Sequence, residues 1–447
     1  MNTASPSKDR SLVLTEKPAI ETRRAFLRRT SLAAISGSMV GGTLSLTRSA
    51  HAAGSDVLRV GLVGCGSRGT GAATQALQAD PQAKLVALGD AFADRLESSL
   101  RTLLDQPRIA EKIDVPRERQ FTGFEACNKV LECDLDVIVL ATSPHFRPAH
   151  LRAAVEKGVH IFAEKPVAVD APGVHHVLET VEMAKAKGLS LVSGLCLRYW
   201  NGYREAVGRL RDGAIGNITS LEANDYRNPV WVRPRRPEWS DMEYQMRNWY
   251  YFTWLSGDFN VEQHVHFLDV CAWVMGDKYP VRAVGMGGRQ VRTGAEYGNI
   301  FDHHSVVYEY ENGVKLHSNT RQMAGCHGDM SAAAVGERGR AKISEARMTI
   351  DAHNAKRWTY RGPENDLYQT EHDELFAAVR ASKPINNGGY MANSTLLAIM
   401  GRMANYTGQQ ITWEAALSSK EDLSPPKYDW GSLAEAKVAI PGLTKFI

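Results

Sequence analysis

The sequence has no CxxC pair. Its six cysteines are scattered over 447 residues. Most sit inside apolar runs such as GLVGCG and FLDVCAW, which fits buried free thiols and not a zinc ribbon or a disulfide scaffold. Cys127 and Cys133 could form a bridge in an oxidising compartment, and spacing alone does not decide it. No apolar run approaches the ~20 residues that cross a bilayer. There is no low-complexity tract and no obvious repeat, which excludes solenoid and fibrous classes. Excess charge is missing as well. The chain carries 53 Lys+Arg against 50 Asp+Glu, and residues 1–52 hold 8 of the basic and 3 of the acidic ones. The remainder has 45 against 47, a net of −2. The slight basicity therefore belongs to the first residues and gives no support to nucleic acid binding.

Those first residues have the form of an address. Thr22-Arg23-Arg24-Ala25-Phe26-Leu27-Arg28 is a twin-arginine pattern. The run Ser31 to Leu46 after it is mildly apolar and too polar to anchor, and Ser49-Ala50-His51-Ala52-Ala53 supplies small residues for cleavage. No cysteine lies there to take a lipid. The order of these features predicts a signal peptide over 1–52, recognition by the twin-arginine export machinery, and a periplasmic or secreted protein without stable membrane insertion. The alternative is a basic N-terminus ahead of a cytoplasmic enzyme. About 395 residues follow, enough for two domains.

The first of them opens on VLRVGLV, a short β-branched apolar run that predicts a buried strand. Gly64-x-Gly66-x-x-Gly69 comes next, then a helical stretch through Ala72, Ala73, Ala76 and Leu77. In this strand–turn–helix setting each glycine has a job. Gly64 permits the tight turn, Gly66 lets a pyrophosphate approach the backbone, and Gly69 allows helix and strand to pack closely. The free N–H groups of the helix start then face the phosphates. A second strand, AKLVALGD, ends in Asp90, placed to accept both ribose hydroxyls and to repel a 2′-phosphate. This favours NAD over NADP, although Arg68 could help a phosphate. The βα alternation continues through DLDVIVLATSPHFRPAHL and AAVEKGVHIFAEKPVAVD. Ligands of such sheets gather at the carboxyl ends of strands, where Gly66, Asp90, Thr142, His145 and Lys165 fall.

At these residues the chain resembles the Gfo/Idh/MocA oxidoreductases, which include glucose–fructose, inositol and many sugar dehydrogenases. GxGxxG, the strand-end Asp and AAVEKGVHIFAEKP carry the resemblance, which runs over nearly all of residues 57–415. It implies that Lys165 lies by the nicotinamide and the substrate, with a Lys-Pro peptide that is often cis. The cofactor-binding residues expected are Gly64, Gly66, Ser67, Arg68, Gly69, Asp90, Thr142, His145, Glu164, Lys165 and Arg198. The expected class is an N-terminal Rossmann α/β domain over 53–195. A C-terminal α+β domain over 196–447 follows, with a large open, mostly antiparallel sheet.

That second part has several alternating strands, RAVGMGGRQV, HHSVVYEYENG, VKLHSNTRQ and AAVGERGRAKIS, with hairpin signals at Asn312-Gly313 and Gly336 to Gly339. The resemblance implies that the open sheet pairs subunits, hence a homodimer or homotetramer. Ser256 to Gly276 is expected to be helical, with Glu262, His266 and Asp269 at i, i+4 and i+7 on one side. A carboxylate one turn from a histidine fixes its tautomer and stabilises its charged form. His266-Phe267-Leu268-Asp269 and Trp273 match the family pattern, with Glu262 where many members have Asp. The expected catalytic set is Lys165, His266, Glu262 and Asp269, with His266 as base and the two acids orienting it. His264, Asp302, His303 and His304 have no recognised zinc spacing, so no metal is expected and sheet-surface histidines are favoured. The loop NPVWVRPRRPEWSDMEYQMRNWYYFTWL is dense in Trp, Tyr and Arg, which suits a hydroxyl-rich ring or its acidic substituents.

The expectation is an exported NAD-dependent oxidoreductase acting on a sugar, sugar derivative or cyclitol. A redox-neutral glycosidase, lyase or epimerase working through a transient keto-sugar is the alternative. The NAD-dependent glycosidases of glycoside hydrolase family 109 resemble the chain too, but usually lack a lysine where Lys165 stands. A non-catalytic protein that keeps NAD as a structural element is argued against by Lys165 and His266 together.

Overall fold

Leu58–Val63 is the strand on which the first half is built, and its last four residues are buried. In the computed structural model, which describes residues 56–447, this strand (β1) lies inside a six-stranded sheet. β2 (Ala83–Asp90), β3 (Gln120–Thr122), β4 (Val137–Leu140), β5 (His160–Ala163) and β6 (Leu191–Ser193) complete it in the order β3-β2-β1-β4-β5-β6. All the pairings are parallel. The strand order reverses between β1 and β4, which creates the crevice where ligands of such sheets sit. Both faces are covered by helices, so the strands are continuous apolar runs without alternation. The twin-arginine stretch and the cleavage site lie outside the described residues.

The glycine loop joins β1 to the helix Ser67–Ala79. Gly64 has φ of +96°, and a Cβ there would stand 2.4 Å from the Ala141 backbone. A Cβ on Gly69 would lie 1.8 Å from the Gly64 carbonyl oxygen, whereas one on Gly66 would meet nothing within 4 Å. Two of the three glycines are therefore demanded by the protein itself, and the middle one faces open space.

A nine-stranded sheet forms the second half. Its strands are β7 (Ile218–Arg227), β8 (Arg282–Gly288), β9 (His303–Glu309), β10 (Lys315–Gln322), β11 (Asp329–Gly336), β12 (Gly339–Ser344), β13 (Met348–Ala352), β14 (Trp358–Thr359) and β15 (Ile411–Thr412). The order is β14-β13-β12-β11-β7-β10-β9-β8-β15. β7 and β10 pair in parallel, and the other neighbours are antiparallel. The helices Val265–Val274 and Gly388–Thr407 pack against this sheet. Both are apolar nearly all round, as a helix enclosed on every side must be, and their residues are almost all buried. The chain then revisits the first half. Helix Leu367–Arg380 lies on Ser67–Ala79, and Arg380 grips Asp80 at 2.7 and 2.8 Å. Val57–Ile447 thus forms one compact unit. Among the described residues no helix is long and apolar enough to cross a membrane, and all the cysteines are free thiols, including Cys127 and Cys133.

The glycine loop gives a paired prediction. Gly69→Ala forces helix and strand apart and is expected to cost about 1–3 kcal/mol, the usual overpacking penalty. Gly66→Ala is expected to leave stability within about 0.5 kcal/mol while weakening dinucleotide binding. Thermal melts with and without cofactor check both. Equal melting temperatures for the two variants would contradict this account.

Candidate active site

A cavity of about 350 Å³ opens over the glycine loop. Of the expected cofactor residues, Gly64, Gly66, Ser67, Arg68, Gly69, Asp90 and Thr142 line it. The opposite wall is the aromatic loop of the second half, through Trp231, Arg233, Met246, Arg247 and Trp249. Phe92, Phe124 and His150 fill the sides. The residues fit a dinucleotide on three counts: the unfilled space over Gly66, the helix start behind it, and the acid at the end of β2. Asp90 accepts the backbone N–H of Cys65 at 2.6 Å and of Phe92 at 2.9 Å, which fixes the carboxyl at the crevice. Burial raises its pKa, opposed by those two bonds. Arg68 is drawn away from any added phosphate. Its Nε stands 2.9 Å from Glu164 Oε1 and its guanidinium lies over the Tyr368 ring.

The second cluster forms where the two halves meet. β5 ends at Ala163 and delivers Glu164-Lys165-Pro166, with a cis Lys165–Pro166 bond. Lys165 Nζ donates to Glu262 Oε1 at 2.9 Å and to the Glu262 carbonyl at 2.6 Å. Both side chains are 12% exposed. The expected single helix is broken here: Phe259–Glu262 ends, and Val265–Val274 begins after Gln263 and His264. The His264 ring is bonded to Ser318 on β10 at 2.8 Å, a tertiary contact that the i, i+4 reading could not contain. His266 follows the break. Its Nδ1 is buried with no hydrogen-bond partner. Burial, then Lys165, Arg227 and His264, push its pKa well below the ordinary value, so the ring is neutral at physiological pH.

Asp269 does not serve His266 as the helical spacing predicted. It lies one further turn along and its carboxylate is taken bidentately by Arg198, at 2.8 Å on each side, and by the Ser394 hydroxyl at 2.7 Å. Arg198, expected at the cofactor, is occupied in turn by Asp269 and Asp277 and lies on the Tyr390 ring at 3.8 Å. Neither lines the cavity. His145 also stands back from it, with Nε2 2.7 Å from the Tyr428 hydroxyl. Glu164 is buried and lies against Arg68. Asp302 is filled by the N–H groups of Gln290, Val291 and Arg292. His304 is not on the sheet surface but buried, bonded to Asp258 and Asn405. Among the described residues no group of His, Cys, Asp and Glu is arranged to hold a metal.

Two residues at this centre escaped the sequence reading. Arg147 is 4% exposed and donates to the carbonyls of Pro166 and Thr142, so it ties the backbone that follows β5 to the backbone that follows β4. Burial lowers its pKa to about 10, while Glu164 and Glu262 hold it up. Asp225 is fully buried on β7, its Oδ1 2.5 Å from Arg227 Nε. Its Oδ2 has no partner, and burial raises its pKa. One signal was present: Leu221, Ala223 and Asp225 share the buried parity of a strand. Nothing in HFRPAH marks Arg147 as buried.

Two predictions follow from these placements. Asp269→Ala leaves a buried guanidinium short of its partner and is expected to destabilise the fold. The loss is at the lower end of about 3–5 kcal/mol, because Asp277 still pairs with Arg198. A denaturant melt within 1 kcal/mol of wild type, by rough bookkeeping, would deny that role. The second concerns acid. Burial lowers His264 and His372 to about 3, so the unfolded chain takes up these protons near pH 6.5 and the native chain does not. Their stabilisation is complete above pH 6.5 and is lost as pH falls from there towards 3, by about 1.4 kcal/mol per pH unit for each. The melting temperature is expected to fall between pH 7.5 and 5, and a flat profile would overturn the assignment.

Comparison with known proteins agrees with this geometry. Residues 58–194 match the GFO/IDH/MocA oxidoreductase family model, NAD-binding Rossmann fold, and residues 203–342 match the GFO/IDH/MocA C-terminal domain. The chain is 23% identical to the 2,7-anhydro-N-acetylneuraminate hydratase of Escherichia coli, over 50% of this chain and 55% of that one. It therefore spans about half the length of that curated relative. It is 26% identical to inositol 2-dehydrogenase 3 of Saccharopolyspora erythraea, over 65% of this chain and 75% of that one. The aldose-aldose oxidoreductase of Caulobacter crescentus shares the fold with a TM-score of 0.63 at 15% identity, over 80% of this chain and 99% of that one. The nucleotide half is an NAD-binding Rossmann domain, and the chain belongs to the Gfo/Idh/MocA family of NAD-dependent oxidoreductases.

Proposed function

We propose that this protein is an exported enzyme that oxidises a hydroxyl of a sugar, sugar derivative or cyclitol and keeps its NAD bound between turnovers. The observation that carries the reading is the joining of Lys165 to Glu262 beside a neutral His266; none of the three lines the dinucleotide cavity, but Arg147 ties the Pro166 carbonyl next to Lys165 to that of Thr142, which does. NAD supplies the hydride acceptor. His266, uncharged because burial and neighbouring cations disfavour its protonated form, takes the hydroxyl proton. Lys165 has three N–H groups and spends two on Glu262, which leaves one for the substrate oxygen. Glu262 therefore aims Lys165 and has no need to reach His266. A proton arriving on His266 is opposed by Lys165 and Arg227, so it passes on to solvent, or returns to the oxygen when hydride is given back to a carbonyl. The names of inositol and aldose relatives support a polyhydroxylated substrate. The exposed Val284, Met286 and Val335 on the open sheet support self-association through that face.

Export argues for retention. Outside the cytoplasm no pool of free NAD is replenished, so an enzyme that released its cofactor would stop. A twin-arginine route would carry the folded, loaded protein. A retained cofactor must be reset on site, by a second substrate or within a redox-neutral cycle. The hydratase among the relatives favours the second of these as the alternative reading.

Lys165→Ala and His266→Ala are each expected to lower turnover by ~100- to 10,000-fold with the fold intact. The purified protein is expected to carry about one NAD(H) per subunit through dialysis, and to convert paired sugars, or one sugar without net oxidation, with no NAD added. Cofactor-free protein active only on soluble NAD would refute the retained-cofactor reading. Near-normal rates in both variants would refute the catalytic one.

A further inference from the structure

The segment from Ser419 to Leu433 contains no helix or strand, yet it is fixed at both ends and in the middle. At its start Glu421 pairs with Arg402 at 2.5 Å, and the Leu423 N–H donates to Asp170 at 3.0 Å. In the middle the Tyr428 hydroxyl meets His145 Nε2 at 2.7 Å. Trp430 stacks on Phe124 with centroids 4.5 Å apart and leans on Phe92 at 5.3 Å. At its far end the Gly431 carbonyl accepts from Met242 N at 3.2 Å, and the Leu433 carbonyl accepts from Gln245 Nε2 at 3.0 Å.

These contacts fall on two different walls. Phe92 and Phe124 line the dinucleotide cavity from the Rossmann half. Met242 and Gln245 belong to the helix Asp241–Arg247 of the aromatic loop, whose Met246 and Arg247 line the cavity from the other side. Across the mouth, Arg247 also pairs with Asp94 at 3.1 Å. No residue of the segment lines the cavity; it touches the lining side chains Phe92 and Phe124 from behind. It runs along the outside and ties one wall to the other. Tyr428 and Trp430 are 46% and 42% exposed, so this tie is held by a few aromatic and polar contacts and not by burial in the core.

We propose that residues 419–433 are a strap that holds the dinucleotide cavity shut, with Trp430 and Tyr428 as its positioning residues. Trp430 acts through Phe124 and Phe92, and Tyr428 through His145. The strap sets how slowly the cofactor leaves, not how the hydroxyl is oxidised. It deepens the retained-cofactor reading above by naming what retains it, and it rests on that reading for its purpose.

The test is the dissociation rate of NADH from full-length protein, followed by its fluorescence after a chase with excess NAD. Aromatic pairs of this kind are worth enough for about a tenfold change in a rate when two are lost together. Trp430→Ala is therefore expected to release NADH about tenfold faster, Tyr428→Phe to shift it less in the same direction, and Trp430→Phe to recover most of the wild-type rate. A purely structural role would lower the melting temperature of Trp430→Ala and leave dissociation unchanged, and that result overturns the proposal. If Trp430→Ala fails to fold, Tyr428→Phe decides, and a wild-type rate in it would overturn the proposal. Wild-type protein that purifies without NAD(H) would sink the retention reading, whereas the rates after loading with NADH still judge the strap.

Discussion

The centre of this molecule depends on one lysine held between two halves. Lys165 arrives at the end of a parallel strand and donates twice to Glu262, which ends the short helix Phe259–Glu262 packed on Gly388–Thr407 of the second half. Each bond alone is weak on the scale of folding. Together, at 12% exposure, they fix the ammonium group within hydrogen-bond reach of a single position and make its location a property of the interface. Arg147 secures the same point from beneath by holding the carbonyls of Thr142 and Pro166. A shift of one half against the other would therefore misplace the cation before it disturbed either core.

The charged groups around that lysine divide into two kinds. Arg198 and Asp269 are a buried pair that satisfy each other and leave nothing over for chemistry. His266 Nδ1 and Asp225 Oδ2 are buried with no protein partner. Leaving such atoms unpaired costs on the order of 1–3 kcal/mol each. These two atoms, both close enough to Lys165 to feel its charge, are the buried acceptors at this centre left with capacity for a ligand.

Much of this was legible in the residues. The glycine loop, Asp90 and the alternation of apolar runs with helical stretches gave the Rossmann half, because its signals are local: two periods and a turn. The strands of the second sheet were visible for the same reason. The helix around His266 was half right. VEQHVHFLDV has helical spacing, but the helix is interrupted at Gln263-His264, where His264 is bonded to Ser318 on the sheet, and Asp269 pairs with Arg198. Arg147 was missed because an arginine in sequence looks solvated, and only the packing of its neighbours reveals otherwise. The signal peptide is a reading of the sequence alone.

The strap has a consequence in time. Residues 419–433 leave the ribosome after both walls of the cavity have been made, so the crevice stands open while the glycine loop, Asp90 and the aromatic loop take shape. A nucleotide can enter during that interval without any wall having to move. Once Trp430 reaches Phe124 the way in is also the way out, and both are obstructed. The order in which the polypeptide is written thereby becomes an order of loading, then sealing.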